Sequence, residues 1–194
     1  GTKNHAKRLL DALECIANVN VIYHPYNKID DSRLTHDFKK LLECDAIVIA
    51  SPNNTHFDYL SLLSNYDGYI LCEKPFVVTN DQLNWCLVNL NMKKLKINFN
   101  FRNSRLFHIF DNLRKNNQIG KIIDIKIIAT HGLAFKDSYA TSWRSKKDKH
   151  KTGVFETVAI HYLDLLFNVF DFNVKNTKFN CNLSNVSNIG NAPD

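Results

Sequence analysis

The stretch that decides the fold reads DAIVIASPNNTH at residues 45–56 and is completed by YILCEKP at residues 69–75. Residues 46–50 are apolar without alternation, which is typical of a strand buried on both faces of a parallel sheet. Pro52 cannot donate to a sheet ladder, and apolar side chains recur at helical spacing over residues 57–66. A second apolar strand then runs into Glu-Lys-Pro. The stretch predicts a β-α-β unit with its polar residues at the carboxyl ends of the strands, where open α/β sheets bind ligands.

The flanking sequence predicts further elements of the same kind. Before the unit we expect an amphipathic helix after residue 8, a strand at residues 20–23 and a short helix at residues 34–43. After it, Thr79 and Gln82 have the spacing of a capping box, which predicts a helix to about residue 90, and a strand follows at residues 95–101. Residues 1–100 are therefore predicted to form one domain of the α/β class, built on a parallel sheet.

The second half of the chain has a different pattern. Ser104 is expected to cap a helix that Asn116, Asn117 and Gly120 end, and Lys121 to Ala129 alternates isoleucine with charged residues. This alternation predicts a half-exposed strand of a mainly antiparallel sheet. A loop at residues 136–151 and a long helix from Gly153 to about Phe170 follow. We predict a partial α+β domain over residues 101–194, with the tail too weakly patterned to complete it.

Composition narrows the class of protein. The 194 residues carry a net charge of +6, and five cysteines without metal-type pairing predict a reduced, cytoplasmic protein with no metal. No apolar stretch is long enough for a membrane span. The basic run at residues 144–151 is a solvated loop or a contact for an anionic ligand, and it lacks the interleaved aromatic residues of a nucleic-acid site.

The central stretch resembles the glucose–fructose oxidoreductase / inositol dehydrogenase (Gfo/Idh/MocA) family of NAD(P)-dependent oxidoreductases. The resemblance continues in order through NFNFR at 98–102, NQIGKI at 117–122, SWR at 142–144 and GVFETVAIHYLDL at 153–165. It implies a Rossmann-type dinucleotide domain followed by a substrate domain, and a homodimer or homotetramer. It also implies that the lysine of Glu-Lys-Pro lies near the nicotinamide and the reacting hydroxyl.

The amino end departs from that pattern. A Rossmann domain begins with a strand and G-x-G-x-x-G before its first helix, whereas here no strand precedes Gly1. We infer that this strand is missing and that Gly1 is the last trace of the phosphate-binding turn, with Asn4 or a neighbour where a further glycine is expected. The alternative is an ordinary helix start without a phosphate contact.

The cofactor loops follow from the resemblance. Ser51, Pro52, Asn53 and His56 match the loop beneath the dinucleotide, although capping of the next helix by Asn54 or Thr55 explains the same residues. At the end of the strand at 20–23, where NAD-binding folds carry an acidic residue, the chain has His24 and then Lys28. These residues favour NADP over NAD, and the nearby Asp30 argues against that preference.

Glu73, Lys74 and Pro75 carry the most specific chemistry. A lysine at the end of a buried strand is partly desolvated, which lowers its pKa and suits it to proton transfer near neutral pH. Pro75 fixes the turn that directs Lys74, and a cis peptide bond before Pro75 is one way to form such a turn. The alternative reading of Lys74 is a strand-end lysine paired with Glu73.

The long helix carries the polar row Thr157, His161, Asp164 and Asn168. The row resembles the family's D-x-x-x-H-x-x-D segment, which implies that His161 shares proton handling with Lys74, or hydrogen-bonds the substrate. The alternative for His161 is a satisfied core residue. Thr157 stands where the family commonly has aspartate, which puts the standard lysine–aspartate–histidine arrangement in doubt.

Three further residues complete the predicted site. Trp143 and Arg144 match a position near the nicotinamide and substrate, and Arg102 matches one at the cleft between the domains, each with a surface or structural ion pair as the alternative. The sequence therefore predicts an NAD(P)-dependent oxidoreductase acting on a sugar, a polyol or a nucleotide sugar. The rival hypothesis is a non-catalytic dinucleotide-binding or regulatory protein on the same fold.

Overall fold

The structure is a computed structural model, and it describes residues 5–26, 28–130, 132–148, 153–170, 178 and 180–194. The chain divides into two compact units, the first ending at Asn98 and the second beginning at Phe99. Among the described residues, no helix combines the length and the apolar character needed to cross a bilayer.

The first unit is built on a parallel sheet of three strands, β3 (Ala46–Ile49), β4 (Tyr69–Glu73) and β5 (Leu95–Asn98), in that order. The register pairs Ile49 with Cys72 and Glu73 with Asn98. The strands are connected by helices α2 (His56–Leu62) and α3 (Asn80–Asn89). This arrangement confirms the predicted Rossmann-type α/β class.

The core of this unit lies between the sheet and its helices. Leu60 of α2 and Cys72 of β4 are completely buried, and Leu63 is nearly so. The remaining buried members of the same cluster are Ile47, Ile49, Ile70, Cys86, Leu90 and Leu95. The apolar runs that predicted buried strands supply most of these side chains, so burial explains why the strands form where they do.

The amino-terminal part contains α1 (His5–Glu14) and a second parallel pair, β1 (Ile22–Tyr23) with β2 (Leu34–Thr35). The helix predicted at residues 34–43 is wrong in its first part. Leu34 and Thr35 pair with β1, and Asp37 then begins a 3-10 helix, Phe38–Glu43, by accepting a hydrogen bond from the Lys39 N–H.

The helix caps predicted at Thr79 and Ser104 are confirmed. At the start of α3, the Thr79 hydroxyl accepts from the Gln82 N–H, and the Gln82 side chain accepts from the N–H of Val78. In the second unit, Ser104 caps α4 (Arg105–Lys115) in the same way. The helix ends at Asn116, and the next residue, Asn117, has a left-handed backbone with φ 52°.

The predicted antiparallel sheet of the second unit is not present among the residues that the structure describes. Residues 121–130 have no regular secondary structure, and Ile123 and Ile128 are 95% and 76% exposed. An alternating sequence forms a strand only when a neighbour pairs with its backbone, and the described part of this unit contains no such strand. The strand predicted for Lys121 to Ala129 is therefore wrong here.

Short and long helices follow in the second unit, up to Phe170, whereas the described residues from 180 to 194 form neither helix nor strand. The predicted loop at 136–151 contains α5 (Asp137–Ala140) and a 3-10 helix, Trp143–Ser145, before its last residues pass outside the described part. The long helix is confirmed as a π-helical turn, Phe155–Ala159, continuing into α6 (Ile160–Val169). Gly153 precedes it with φ +55°, and a Cβ there would lie 1.8 Å from the Pro193 carbonyl oxygen, so only glycine fits.

Candidate active site

The polar residues of the first unit meet at one edge of the sheet. Ser51 follows β3, Lys74 follows β4, and Asn98 ends β5. Since the three strands are parallel neighbours in register, their carboxyl ends lie side by side. This edge is the one at which α/β sheets bind ligands.

The Glu73 carboxylate connects three elements at this edge. Its residue is 8% exposed, and its Oε1 accepts hydrogen bonds from Asn98 Nδ2 at 2.6 Å and from His5 Nε2 at 2.7 Å. His5 is the first residue of α1, so the contact ties the amino end of that helix to the end of β4. A nearly buried carboxylate needs such donors, because a buried charge without partners is costly.

Sequence reasoning missed His5 and Asn98 as site residues. Asn98 could have been found from the register of two adjacent parallel strands, which sets it beside Glu73. Gly1, the predicted phosphate-turn residue, lies outside the described residues.

The loop after β3 is ordered by its own side chains. Residues Asn53–Thr55 form a 3-10 turn that Pro52 begins, and the Asn53 side chain is buried. The Thr55 hydroxyl bonds to Ser51 Oγ at 2.7 Å and to the Pro52 carbonyl at 2.8 Å. Thr55 therefore braces the loop and makes no side-chain capping bond to α2, contrary to that alternative.

His56 lies beneath this loop and is completely buried. Its Nδ1 is 2.8 Å from the carbonyl oxygen of Pro75, and its Nε2 is 2.8 Å from the carbonyl oxygen of Ser51. Burial lowers the pKa of His56 and outweighs the two carbonyl contacts, which act in the opposite direction. The ring therefore shapes the site from within the protein, by joining the loop after β3 to the turn after β4.

Lys74 and Pro75 form the turn at the centre of the edge. The peptide bond between them is cis. Pro75 is buried, whereas Lys74 is partly exposed. Because Glu73 is held from two other sides by His5 and Asn98, the carboxylate next to Lys74 has a fixed position.

The end of β1 carries the residues that bear on cofactor choice. His24 Nδ1 accepts from the N–H of Tyr26, and His36 Nδ1 is 2.6 Å from the His24 carbonyl oxygen. Burial lowers the pKa of His24. Lys28 and Asp30 are both exposed.

The Asp31 carboxylate, in the segment between β1 and β2, is paired with an arginine. The Asp31 carboxylate accepts hydrogen bonds from Nε and Nη2 of Arg33 at 2.9 and 2.7 Å, and Arg33 also donates to the Glu14 carboxylate at 2.6 Å. The hydrogen bonds from Arg33 lower the pKa of Asp31 to about 2. This carboxylate is therefore charged, and its charge is compensated by the arginine.

The polar row of the second unit has definite partners. Asp164, whose side chain is 9% exposed, accepts a fork of two bonds from Arg102, with Nε at 2.8 Å and Nη2 at 2.5 Å. His161 stacks on the ring of Phe101 at a centroid distance of 5.0 Å. The Thr157 hydroxyl is 3.4 Å from the carbonyl oxygen of Gly153 in the preceding turn. The structure thus brings Arg102 and Asp164 together, as a bidentate ion pair within this unit.

Trp143 and Arg144 form a local pair. The Arg144 guanidinium lies 4.6 Å from the centre of the Trp143 ring, and burial lowers the pKa of that guanidinium. The Tyr139 hydroxyl donates to the Arg144 carbonyl. Lys74 belongs to the first unit, whereas His161, Trp143 and Arg144 belong to the second.

Comparison with known proteins gives a consistent picture. The family described as "Oxidoreductase family, NAD-binding Rossmann fold" matches residues 4–101, about half of the chain. Glucose-6-phosphate 3-dehydrogenase of Bacillus subtilis is 25% identical over 132 residues, covering 66% of this chain and 37% of that protein. Inositol 2-dehydrogenase of Rhizobium meliloti is 26% identical over 125 residues, covering 63% and 36%. The matched segments therefore cover well under half the length of these relatives.

Solved structures agree in fold. A putative NADPH-dependent oxidoreductase from Desulfitobacterium hafniense superposes with a TM-score of 0.72 at 17% identity, over 88% of this chain and 53% of that one. The WlbA dehydrogenase from Thermus thermophilus, in complex with NAD and UDP-GlcNAcA, gives a TM-score of 0.65 at 17% identity, over 87% and 60%. At these identities the likeness is one of fold.

Proposed function

Because the chain belongs to the oxidoreductase family with an NAD-binding Rossmann fold, we propose that it serves a hydride transfer between a nicotinamide dinucleotide and a hydroxyl-bearing carbon of a sugar-type substrate. The observation that carries the proposal is the Glu73-Lys74-Pro75 turn at the carboxyl edge of the parallel sheet, beside the loop that begins at Ser51. On this proposal the first unit binds the dinucleotide and the second binds the substrate.

The residues at the edge fit a dinucleotide. The contact of His5 with Glu73 holds the amino end of α1 at the strand ends, and a helix amino terminus favours a phosphate group. The braced loop from Ser51 to Asn53 offers backbone N–H groups and small polar side chains to the ribose. When bound, the nicotinamide supplies or accepts the hydride.

Lys74 moves the proton in this proposal. Interconverting an alcohol and a carbonyl compound requires one proton to leave or join the substrate oxygen for each hydride, and the Lys74 Nζ is the group proposed for it. Glu73, fixed by two hydrogen bonds, orients the turn that carries the lysine. His161 is the proposed second group, since Thr157 cannot act as a carboxylate base.

The substrate class rests on the relatives. Their names give a sugar phosphate and a cyclic polyol as substrates, and one structural neighbour binds a nucleotide-linked sugar acid. The basic run that begins at Arg144 makes an anionic substrate, such as a sugar phosphate or nucleotide sugar, the better fit of these.

For the cofactor we propose NADP. His24 occupies the end of β1 where NAD-binding folds carry an acidic residue, and Asp31 is compensated by Arg33. A neutral imidazole there repels a 2′-phosphate far less than a carboxylate would. We expect His24→Asp to weaken NADPH binding at least tenfold and to leave NADH binding within threefold, measured by fluorescence titration. Equal losses for the two cofactors would contradict the preference.

The test of the activity is cofactor binding followed by turnover. The full chain is titrated with NADH and NADPH and then assayed against a panel of sugars, sugar phosphates, inositols and nucleotide sugars. Lys74→Ala is expected to lower turnover by a factor of 100 or more and to leave cofactor affinity within threefold. Lys93→Ala, at an exposed position before β5, is the control and should leave both unchanged.

A second candidate is a dinucleotide-binding protein without turnover. It is favoured by one observation, the threonine at position 157 where the family commonly has a carboxylate. On this hypothesis the chain binds cofactor, oxidises none of the panel, and is unaffected by Lys74→Ala. The activity proposal is wrong if that pattern is found.

A further inference from the structure

One buried imidazole joins the two segments that the proposed function uses. His56 opens α2 with its side chain completely buried, and its two ring nitrogens each lie 2.8 Å from a backbone carbonyl oxygen. One carbonyl belongs to Ser51, in the loop after β3, and the other belongs to Pro75, in the turn that carries Lys74.

The two contacts compete for one proton. A carbonyl oxygen only accepts hydrogen bonds, and a neutral imidazole has a single N–H. Burial is the main influence on the pKa of His56 and lowers it. Glu73 opposes this shift and Lys74 adds to it. The ring is therefore neutral near pH 7, and its tautomer decides which of the two carbonyls it donates to.

We propose that His56 is a positioning residue with two separable tasks, in which the tautomer protonated at Nε2 holds the Ser51 loop for cofactor binding and the tautomer protonated at Nδ1 holds the Pro75 turn for the reactivity of Lys74. The second task rests on the proposed function, because it matters for catalysis only if Lys74 moves the proton. The first task depends only on cofactor binding.

Two substitutions separate the tasks. The amide nitrogen of asparagine falls close to the position of Nδ1, and that of glutamine close to Nε2, because their side chains differ by one methylene. His56→Asn can therefore donate only towards Pro75. His56→Gln does the reverse.

The experiment measures both tasks on the full chain. NADH and NADPH affinities are measured by fluorescence titration, and the reactivity of Lys74 is measured by competitive labelling with an amine-reactive reagent and mass spectrometry. We expect His56→Asn to weaken cofactor binding about tenfold with Lys74 labelling within twofold, as the loss of a buried hydrogen bond predicts. We expect His56→Gln to change Lys74 labelling about tenfold with cofactor affinity within twofold. His108→Gln, on the exposed side of α4, is the control and should change neither quantity.

This opposite pattern distinguishes positioning from a general role in stability. Parallel losses in both variants, or no loss in either, overturn the proposal. Labelling does not depend on turnover, so a chain that fails the Lys74→Ala activity test can still show the split or lack it. If neither variant folds, hydrogen exchange of the wild-type chain decides: NADPH should protect residues 51–57 and 74–78 together, and protection confined to the first segment overturns the coupling.

Discussion

The hydrogen bond from Asn98 to Glu73 offers the sharpest test of how the site edge is held. Its length is 2.6 Å, and the Glu73 side chain is only 11% exposed, so water cannot readily replace the amide. The side chain of the other partner, His5, is 53% exposed, so solvent weakens the contribution of its hydrogen bond to Glu73. Hydrogen bonds to charged groups contribute about 1.5–3 kcal/mol. We therefore expect Asn98→Ala to lower the free energy of unfolding by about 2 kcal/mol.

Urea denaturation followed by circular dichroism measures this loss, with Asn89→Ala as the matched control. Asn89 donates to the Trp85 carbonyl at 2.8 Å on an exposed helix face, so its removal should cost about 0.5 kcal/mol. In a Glu73→Gln background the Asn98 substitution should cost at least about 1 kcal/mol less, because the charged acceptor is gone. The reasoning is refuted if Asn98→Ala costs no more than Asn89→Ala, or if the cost is the same in both backgrounds.

Three further predictions concern the fold. Leu60→Ala, at a completely buried position, should lower the free energy of unfolding by about 2–5 kcal/mol. Leu62→Ala in the same helix, at 60% exposure, should lower it by about 0.5 kcal/mol or less. Equal urea midpoints for the two variants would contradict the described core. Thr79→Ala removes the cap of α3 and should cost about 1 kcal/mol, with Thr79→Ser restoring most of it. Asp31 has a pKa lowered to about 2 by Arg33, below its ordinary value of 3.8, so its contribution is present above pH 3.8 and lost as the pH falls towards 2. Asp31→Asn should flatten that part of the stability curve against pH, and an unchanged curve would show that the ion pair does not form.

The sheet of the first unit was predictable because its signals are local. An unbroken apolar run, a proline and a capping box each act within a few residues, and β3, β4 and α3 follow them closely. The contact of His5 with Glu73 was not predictable in this way, since it joins residues 68 positions apart. Only the tertiary fold brings them together.

The failed strand at Lys121 to Ala129 shows the limit of periodicity. Alternation reports that one face of a segment is apolar, and it does not report which backbone will pair with it. The short helices at 137–140 and 143–145 were missed for a related reason. The helix at 143–145 starts at a single cap, the Ser142 hydroxyl that accepts from the Arg144 N–H, and the helix at 137–140 has no side-chain cap. Both are weaker signals than a repeated pattern.

The polar row on the long helix shows how contacts change the meaning of a pattern. As a sequence it suggested three groups for a substrate, with a threonine in place of a carboxylate. In the structure Asp164 is held in a two-bond fork by Arg102, and a ligand that used this carboxylate would first have to break a charge-assisted pair. Asp164 therefore does not replace the carboxylate that Thr157 lacks. His161, which stacks on Phe101, is the member of the row that we propose for proton handling.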